Sequence, residues 1–297
     1  MVYHIPAMPE QCIDGLNIRP DGIYVDVTFG GGGHSREILK HLDKGRLIAF
    51  DQDEDAAVNI PSDHRFTFLN QNFRFLRNNL RFIGIESIDG LIADLGVSFH
   101  QFDEPGRGFS FRFDGPLDMR MNREGCTTAA DLIQNSDESR LAEIFYEYGE
   151  LGNSRIIARE IISARNQKPV TTTGDLVSAI SSVVPSKQQY KFYAKVFQAL
   201  RIAVNHEIEN LKELLLQALE MLNSGGRLVM ITYHSLEDRI VKNFMRSGNF
   251  DGIPEKDFYG NPVVPFKLLN KGVTPGESEI TANSRARSAR MRVAEKI

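Results

Sequence analysis

The sequence predicts an α/β protein in which a mostly parallel sheet is interrupted by an all-helical insertion. Three observations carry this. Short β-branched runs alternate with amphipathic runs over residues 22–94, the rhythm of βαβ units. Over residues 128–190 the patterns are helical only. Strand patterns then return at "RLVMITY" and in the tail.

Taken in order, "GIYVDV" is the first strand and ends at four glycines. "SREILKHL" follows as a helix with Ile38, Leu39 and Leu42 on one face. "RLIAFD" is a second strand, "DEDAAVNI" a short helix and "FTFL" a third strand. "FRFLRNNLRFIG" places Phe73, Leu76, Leu80 and Ile83 at helical spacing, and "IDGLIADLG" is a fourth strand. "HQFDEPGRGFSFRFDGPLDM", rich in Gly, Pro and Asp, reads as a long ordered loop. "ESRLAEIFYEYG" sets Leu141, Ile144, Phe145 and Tyr148 on one face, and "NSRIIAREIISARN" sets Ile157, Ile161 and Ile162. "TTGDLVSAISSVV" opens on a threonine cap signal. These helices form an insertion over 109–197 with its own small core, leaving 1–108 and 198–297 for the sheet domain. One long helix runs through "YAKVFQALRIAVNHEIENLKELLLQALEML" and stops at "NSGG", where Gly-Gly suits a helix C-terminus. "RLVMITY" is the fifth strand. "HSLEDRIVKNFMR" is a helix with Ser235 and Asp238 spaced as a capping box. "PFKLL" and "ARMRVAE" are further strands.

Composition sets bounds. Hydrophobic residues are 41% and charged residues 25%, as in ordinary soluble globular proteins. No apolar run approaches the roughly 18 residues of a membrane span. The stretch "MVYHIPAMPEQC" lacks the basic and apolar regions of a secretory signal. Cys12 and Cys126 are far apart and have no neighbours at metal-ligand spacing, which indicates a reducing compartment and no metal site. The net charge of -4 does not favour nucleic acid over the whole surface. Positive charge is concentrated in two places. "NSRARSARMRVAEKI" carries Arg285, Arg287, Arg290, Arg292 and Lys296 against Glu295. "RGFSFRFDGPLDMRMNR" carries Arg107, Arg112, Arg120 and Arg123 against Asp114 and Asp118. Each cluster reads equally as a phosphate-binding surface or a solvated face.

Gly30 to Gly33, in "YVDVTFGGGGHSREIL", give up side-chain packing and cost backbone entropy. Between a strand and a helix N-terminus, bare backbone lets a ligand approach free N–H groups. An acid closing the second strand would accept hydrogen bonds from ribose hydroxyls. Asp51 stands there, while Asp53 suits the N-cap that "DEDAAV" needs. Asp26, beside the glycine turn, would repel a pyrophosphate but suits the cationic amine and sulfonium of S-adenosylmethionine. The glycine spacing also departs from G-x-G-x-x-G. Asp94 ends the fourth strand, at the crevice where open α/β sheets bind ligands, and a buried acid there is costly unless paired.

The blocks "TFGGGGHS", "FDQD", "ADLGVS…Q", "RGFSFRFDGPLDMRMN", "VFQALRIAVNHEI", "GGRLVMITYHSLEDRIVK" and "NSRARSARMR" resemble the bacterial 16S ribosomal RNA cytosine-N4 methyltransferase family over nearly the whole chain. The resemblance implies a class I methyltransferase: a Rossmann-like sheet, mostly parallel with an antiparallel C-terminal strand, and a helical substrate-recognition insertion. It implies a cytoplasmic enzyme that moves a methyl group from S-adenosylmethionine to the exocyclic N4 amine of a decoding-region cytidine. It places donor contacts at Gly32, Gly33, His34, Asp51, Phe73, Asp94 and Gln101, and makes a homodimer an expectation. On its residues alone Phe73 reads as core, and His34 offers either its ring or its backbone N–H. The chain departs from the family pattern at its N-terminus, at Phe99 and at "TYHS".

Cytosine N4 is a poor nucleophile, so Asp94 is a candidate proton acceptor as well as a donor contact. Asp118 and Arg120 reach for substrate or form a structural pair that pins the "GPLDMRM" loop. His234 touches the base or packs beside a helix cap. Arg107, Arg112, Arg120, Arg285 and Arg287 are candidate RNA contacts. Three rivals stay open: a small-molecule or DNA methyltransferase, a non-catalytic RNA-binding protein, and a nicotinamide-dependent dehydrogenase, which Asp26 disfavours.

Overall fold

The structure is a computed structural model and describes residues 6–125 and 127–297; Cys126 lies outside them. In chain order the helices and strands are α1 (Pro9–Leu16), β1 (Ile23–Asp26), α2 (Gly33–His41), β2 (Arg46–Phe50), β3 (Phe66–Leu69), α3 (Leu76–Phe82) and β4 (Ile88–Asp94). Then come α4 (Phe99–Asp103), α5 (Ala129–Asn135), α6 (Glu138–Glu147), α7 (Ser154–Gln167), α8 (Thr173–Ile180), α9 (Gln189–Asn205) and α10 (Glu207–Met221). The chain ends with β5 (Leu222–Thr232), α11 (Ser235–Ser247), β6 (Glu255–Lys256), β7 (Pro262–Val263), β8 (Phe266–Leu268), α12 (Glu277–Ala282) and β9 (Arg290–Lys296).

The chain divides into two compact units, Met1–Gly96 with Glu209–Ile297, and Val97–Ile208. The first holds a seven-stranded sheet in the order β3-β2-β1-β4-β5-β9-β8. Pairing is parallel from β3 to β5, and β9 then runs antiparallel to both β5 and β8. Two register pairs, Asp26 with Ile92 and Asp94 with Ile231, align the carboxyl ends of β1, β4 and β5. The strands at the centre are buried on both faces, as in β2, where Leu47, Ile48, Ala49 and Phe50 are fully enclosed. Ile38 and Leu39 of α2 pack with α1 and β9 residues in one cluster.

The second unit has its own core. Leu141, Ile144 and Phe145 of α6 meet Ile157 and Ile161 of α7, Leu176 of α8, and Val196 and Leu200 of α9. The cores of the two units thus match the helical faces read from the sequence, while the division falls at 96/97 and 208/209. Val97, Phe109 and Leu117 belong with the helical core, which carries that unit into the loop before α5. Thr128 and Thr172 each close a capping box, on α5 and α8.

Several elements differ from the sequence reading. The expected single long helix is two, because His206 takes φ 51°, a left-handed conformation that ends α9. Arg201 and Glu207 then form a bidentate pair across the break. Residues six apart do not face one another on a continuous helix, so the pair depends on the turn. Gly225 and Gly226 do not cap α10. They lie within β5, at an irregularity in its pairing with β4. "DEDAAVNI" is a 3-10 helix, Glu54–Asn59. The loop after β4 contains α4 and a 3-10 turn at Pro105–Arg107.

Candidate functional site

The glycine turn between β1 and α2 is built by contacts far apart in sequence. Gly30 and Gly32 take φ 49° and 73°, a region that L side chains rarely adopt. A Cβ on Gly33 would stand 2.9 Å from the Pro6 ring, so part of the glycine requirement is packing. The Gly30 carbonyl accepts from Asn59 Nδ2 at 3.1 Å, and the Gly31 carbonyl from Arg36 at 2.5 Å. Asp26 is 1% exposed. It accepts from Ser35 Oγ at 2.7 Å and from the Thr28 N–H at 3.1 Å, tying β1 to α2. Burial raises its pKa, opposed by His34 and these hydrogen bonds.

Asp51 follows β2 and faces the same turn. Its Oδ2 accepts from the Gly30 N–H at 2.7 Å and its Oδ1 from the Asp53 N–H at 2.9 Å. Each carboxylate oxygen keeps capacity for a second donor. Burial pushes its pKa from the ordinary 3.8 to about 6, against the pull of those two N–H groups. Asp53 caps the 3-10 helix by accepting from the Asp55 N–H, so the assignment of Asp53 to the cap holds.

Asp94 ends β4. Thr28 Oγ1 accepts its backbone N–H at 2.7 Å, which ties the strand end to the glycine turn. Its Oδ1 accepts from the Tyr233 hydroxyl at 2.8 Å. Its Oδ2 stands 3.8 Å from His34 Nδ1 and, among the described residues, accepts no hydrogen bond. Burial pushes its pKa to about 6, with His34 and Tyr233 opposing and Asp26 and Glu237 adding to the rise. The His34 ring is itself buried, and its Nε2 lies 2.9 Å from the Ala7 carbonyl.

His234 and Tyr233 follow β5. His234, not Ser235, is the N-cap of α11, its Nδ1 taking the Glu237 N–H at 3.4 Å. The expected Ser235–Asp238 box does not form, because helix geometry starts one residue earlier than the spacing suggested, which makes Ser235 the first helical residue. His234 Nε2 is buried 3.0 Å from Glu237 Oε1 but outside hydrogen-bonding geometry. The other Glu237 oxygen accepts from the Tyr233 N–H at 3.1 Å. Phe73 opens a 3-10 turn, Phe73–Phe75, rather than α3, and is partly buried.

The remaining sequence candidates lie in the second unit or the tail. Gln101 is buried in α4 and closes a capping box with Ser98, Oε1 accepting the Ser98 N–H at 3.1 Å. Asp118 and Arg120 form a bidentate pair at 2.8 Å for each bond, the structural alternative of the sequence reading. Burial opposes ionisation of Asp118, yet the Arg120 bonds bring its pKa below 3.8. Arg107 is 3% exposed and donates to the carbonyls of Arg120 and Met121, so its guanidinium faces the loop interior rather than a phosphate. Arg112 is exposed and donates to the Tyr190 hydroxyl at 2.6 Å. Arg285 and Arg287 are exposed on a 3-10 turn before β9. Arg292 is not: it forms a bidentate pair with Asp238.

Sequence reasoning missed Thr28 as a partner of Asp94 and Tyr233 as its hydrogen-bond donor. The departure at "TYHS" was the one signal that pointed at Tyr233. No group of three or more His, Cys, Asp or Glu that could hold a metal ion occurs among the described residues.

The glycine turn at the end of β1 stands between two carboxylates, one after β2 and one ending β4, the strands on either side of β1. The sequence pattern of the MraW methylase family matches residues 1–297. The chain belongs to the MraW methylase family. Curated relatives named ribosomal RNA small subunit methyltransferase H run along its whole length. The protein of Phocaeicola vulgatus is 56% identical over 99% of this chain and 98% of its own. That of Flavobacterium johnsoniae is 53% identical over 100% and 99%, and that of Cytophaga hutchinsonii 52% over 99% and 100%. Among solved structures, an rRNA methylase from Streptococcus thermophilus is similar at a TM-score of 0.45 and 14% identity, covering 99% of each chain. The family's methyl donor is S-adenosylmethionine. The residues present fit it: Asp51 and the second oxygen of Asp94 are acceptors without enough protein donors to saturate them, suited to ribose hydroxyls and a cationic amine.

Proposed function

We propose that this chain transfers a methyl group from S-adenosylmethionine to the exocyclic N4 amine of a cytidine in the decoding region of 16S ribosomal RNA. The observation that carries the reading is Asp94, a carboxylate at a strand end, its side chain 13% exposed, with one oxygen anchored and the other unsatisfied. The names of the relatives support ribosomal RNA of the small subunit as substrate. The family blocks quoted from the sequence support cytidine N4.

S-adenosylmethionine supplies a methyl group already activated on a sulfonium, so the protein's task is chiefly positioning. The glycine turn and His34 border the site, where the first N–H groups of α2 have no partner within the helix. Asp51 takes the ribose hydroxyls. Asp94 Oδ2 accepts a hydrogen bond from the amine of the bound substrates, which draws electron density toward the attacking nitrogen. Phe73 completes the donor contacts within the sheet unit. The target base leaves its stack to reach the site, at a cost of about a few kcal/mol. Phosphate contacts from Arg112, Arg285 and Arg287 offset that cost. Asp118, Arg120 and His234 act by shaping the loop and the start of α11. The enzyme works in the cytoplasm as a homodimer, an oligomeric state that size-exclusion chromatography with light scattering checks. No helix among the described residues is long and apolar enough to cross a membrane.

The deciding experiment is transfer of labelled methyl to small subunits from a strain lacking the enzyme, followed by nucleoside mass spectrometry. N4-methylated cytidine is expected. Label on another nucleoside overturns the substrate assignment. In Asp94→Asn, turnover at saturating donor is expected to fall about 100-fold, within the usual range for loss of a proton acceptor. Weak donor binding with normal turnover at saturation would confine Asp94 to donor binding.

A further inference from the structure

We propose that Tyr233 is a positioning residue for methyl transfer: its hydroxyl fixes one oxygen of Asp94 so that Oδ2 alone meets the bound substrate. The proposal rests on the reading of Asp94 given above.

The geometry separates what the ring does from what the oxygen does. The Tyr233 ring is partly buried and packs against the cluster of Met8, Cys12, Leu16, Ile38 and Met291. That packing needs only an aromatic side chain, and phenylalanine would satisfy it. The hydroxyl adds one bond, to Asp94 Oδ1 at 2.8 Å. Asp94 is thereby held at three points. Thr28 Oγ1 takes its N–H, β5 pairs with its backbone at Ile231, and Tyr233 takes Oδ1. The side chain cannot rotate to exchange its oxygens without breaking the phenol bond. Tyr233 is positioned in turn by Glu237 Oε2, which accepts its N–H at 3.1 Å, so the first turn of α11 sets the phenol's origin. The turn after β4 accommodates the ring: Gly96 takes φ 106°, and a Cβ there would lie 3.6 Å from Tyr233 Cδ2.

Charge makes the same bond count toward ionisation. The titratable groups facing Asp94 are His34 from α2, Asp26 from β1, Glu237 from α11, Cys12 from α1 and Tyr233 itself. Asp26 and Glu237 oppose the ionised carboxylate, while His34 and the phenol favour it. A hydrogen bond to the charged form lowers an acid's pKa, so its removal moves the acidic limb of activity to higher pH.

The test is the pH profile of kcat/KM for labelled methyl transfer in wild type, Tyr233→Phe and Asp94→Asn. In Tyr233→Phe the acidic limb is expected to rise by about one pH unit, with activity near that of wild type on the alkaline plateau. An unmoved limb in a Tyr233→Phe protein of unchanged melting temperature overturns the proposal. Replacing Tyr233 with 3-fluorotyrosine, a stronger donor of nearly the same shape, is expected to move the limb down. That arm decides the matter even where Tyr233→Phe is destabilised, and an unmoved limb there also overturns it. Persistence of the limb in Asp94→Asn would refute the reading of Asp94 itself, a result distinct from either Tyr233 outcome.

Discussion

Asp94 sits where ionisation is opposed by burial. Its folded pKa of about 6 lies above its ordinary 3.8. An acid raised in the folded state favours folding at low pH, and that contribution is lost as pH rises from about 4 through 6. Above that window the carboxylate destabilises the protein. Asp94→Asn keeps an acceptor for the Tyr233 hydroxyl and removes the charge. Its melting temperature without ligand is therefore expected above that of wild type at about pH 8, by up to about 3 kcal/mol in stability. The difference should vanish near pH 4; calorimetry across the range checks it. At this scale the placement of Asp51 and Asp94 at strand ends was legible, because a carboxylate following a β-branched run is a local signal. Tyr233 and Thr28 were not, because their bonds to Asp94 depend on the register of β1, β4 and β5. Arg107 looked like a phosphate ligand for the same reason: only the folded loop shows its guanidinium enclosed by the carbonyls of Arg120 and Met121.

Elements were legible wherever hydrophobic period alone decides them. The five parallel strands, α6, α7 and the two tail strands β8 and β9 all fall on runs the sequence marks. Boundaries were lost where a side chain, rather than periodicity, ends an element. His206 interrupts a helical pattern that continues unbroken on both sides, and His234 caps α11 where Ser235 and Asp238 carry the expected spacing. Asp238 is instead the partner of Arg292, its two oxygens 2.7 and 2.9 Å from the guanidinium. This pair joins β9 to α11, and Arg292 also donates to the Lys271 carbonyl at 3.0 Å. Arg292→Ala leaves Asp238 without its main partner, although Arg290 lies 3.7 Å away. A loss of about 2–4 kcal/mol is expected, read by urea denaturation, because breaking a largely buried ion pair strands a charge. Arg290→Ala, at an exposed position, is expected to cost less than about 1 kcal/mol.

At the scale of the molecule, the charge budget splits into arginines that hold the fold and arginines that face solvent. Arg107, Arg120 and Arg292 belong to the first group; Arg112, Arg285 and Arg287 to the second. Salt dependence of RNA affinity distinguishes them. Arg285→Ala and Arg287→Ala are each expected to lower the slope of log affinity against log salt by about 0.7–1, with the melting temperature of Arg287→Ala unchanged. Filter binding at several salt concentrations measures this, and an unaltered slope counts against the phosphate role. The two-part organisation was legible in outline, because a helical stretch inside an α/β rhythm is visible in composition. The division falls at 96/97 and 208/209 rather than at the ends of 109–197, because Val97 and Phe102 pack on the helical core from the stretch before residue 109.

The sheet is finite at both sides. It is bounded by β3, four residues long, and β8, three residues long. Pro265 precedes β8 and Lys267 stands within it, exposed. A short border with a proline and a charge offers another strand few rungs to pair with. Fibre-like growth by strand addition to this sheet therefore finds little template.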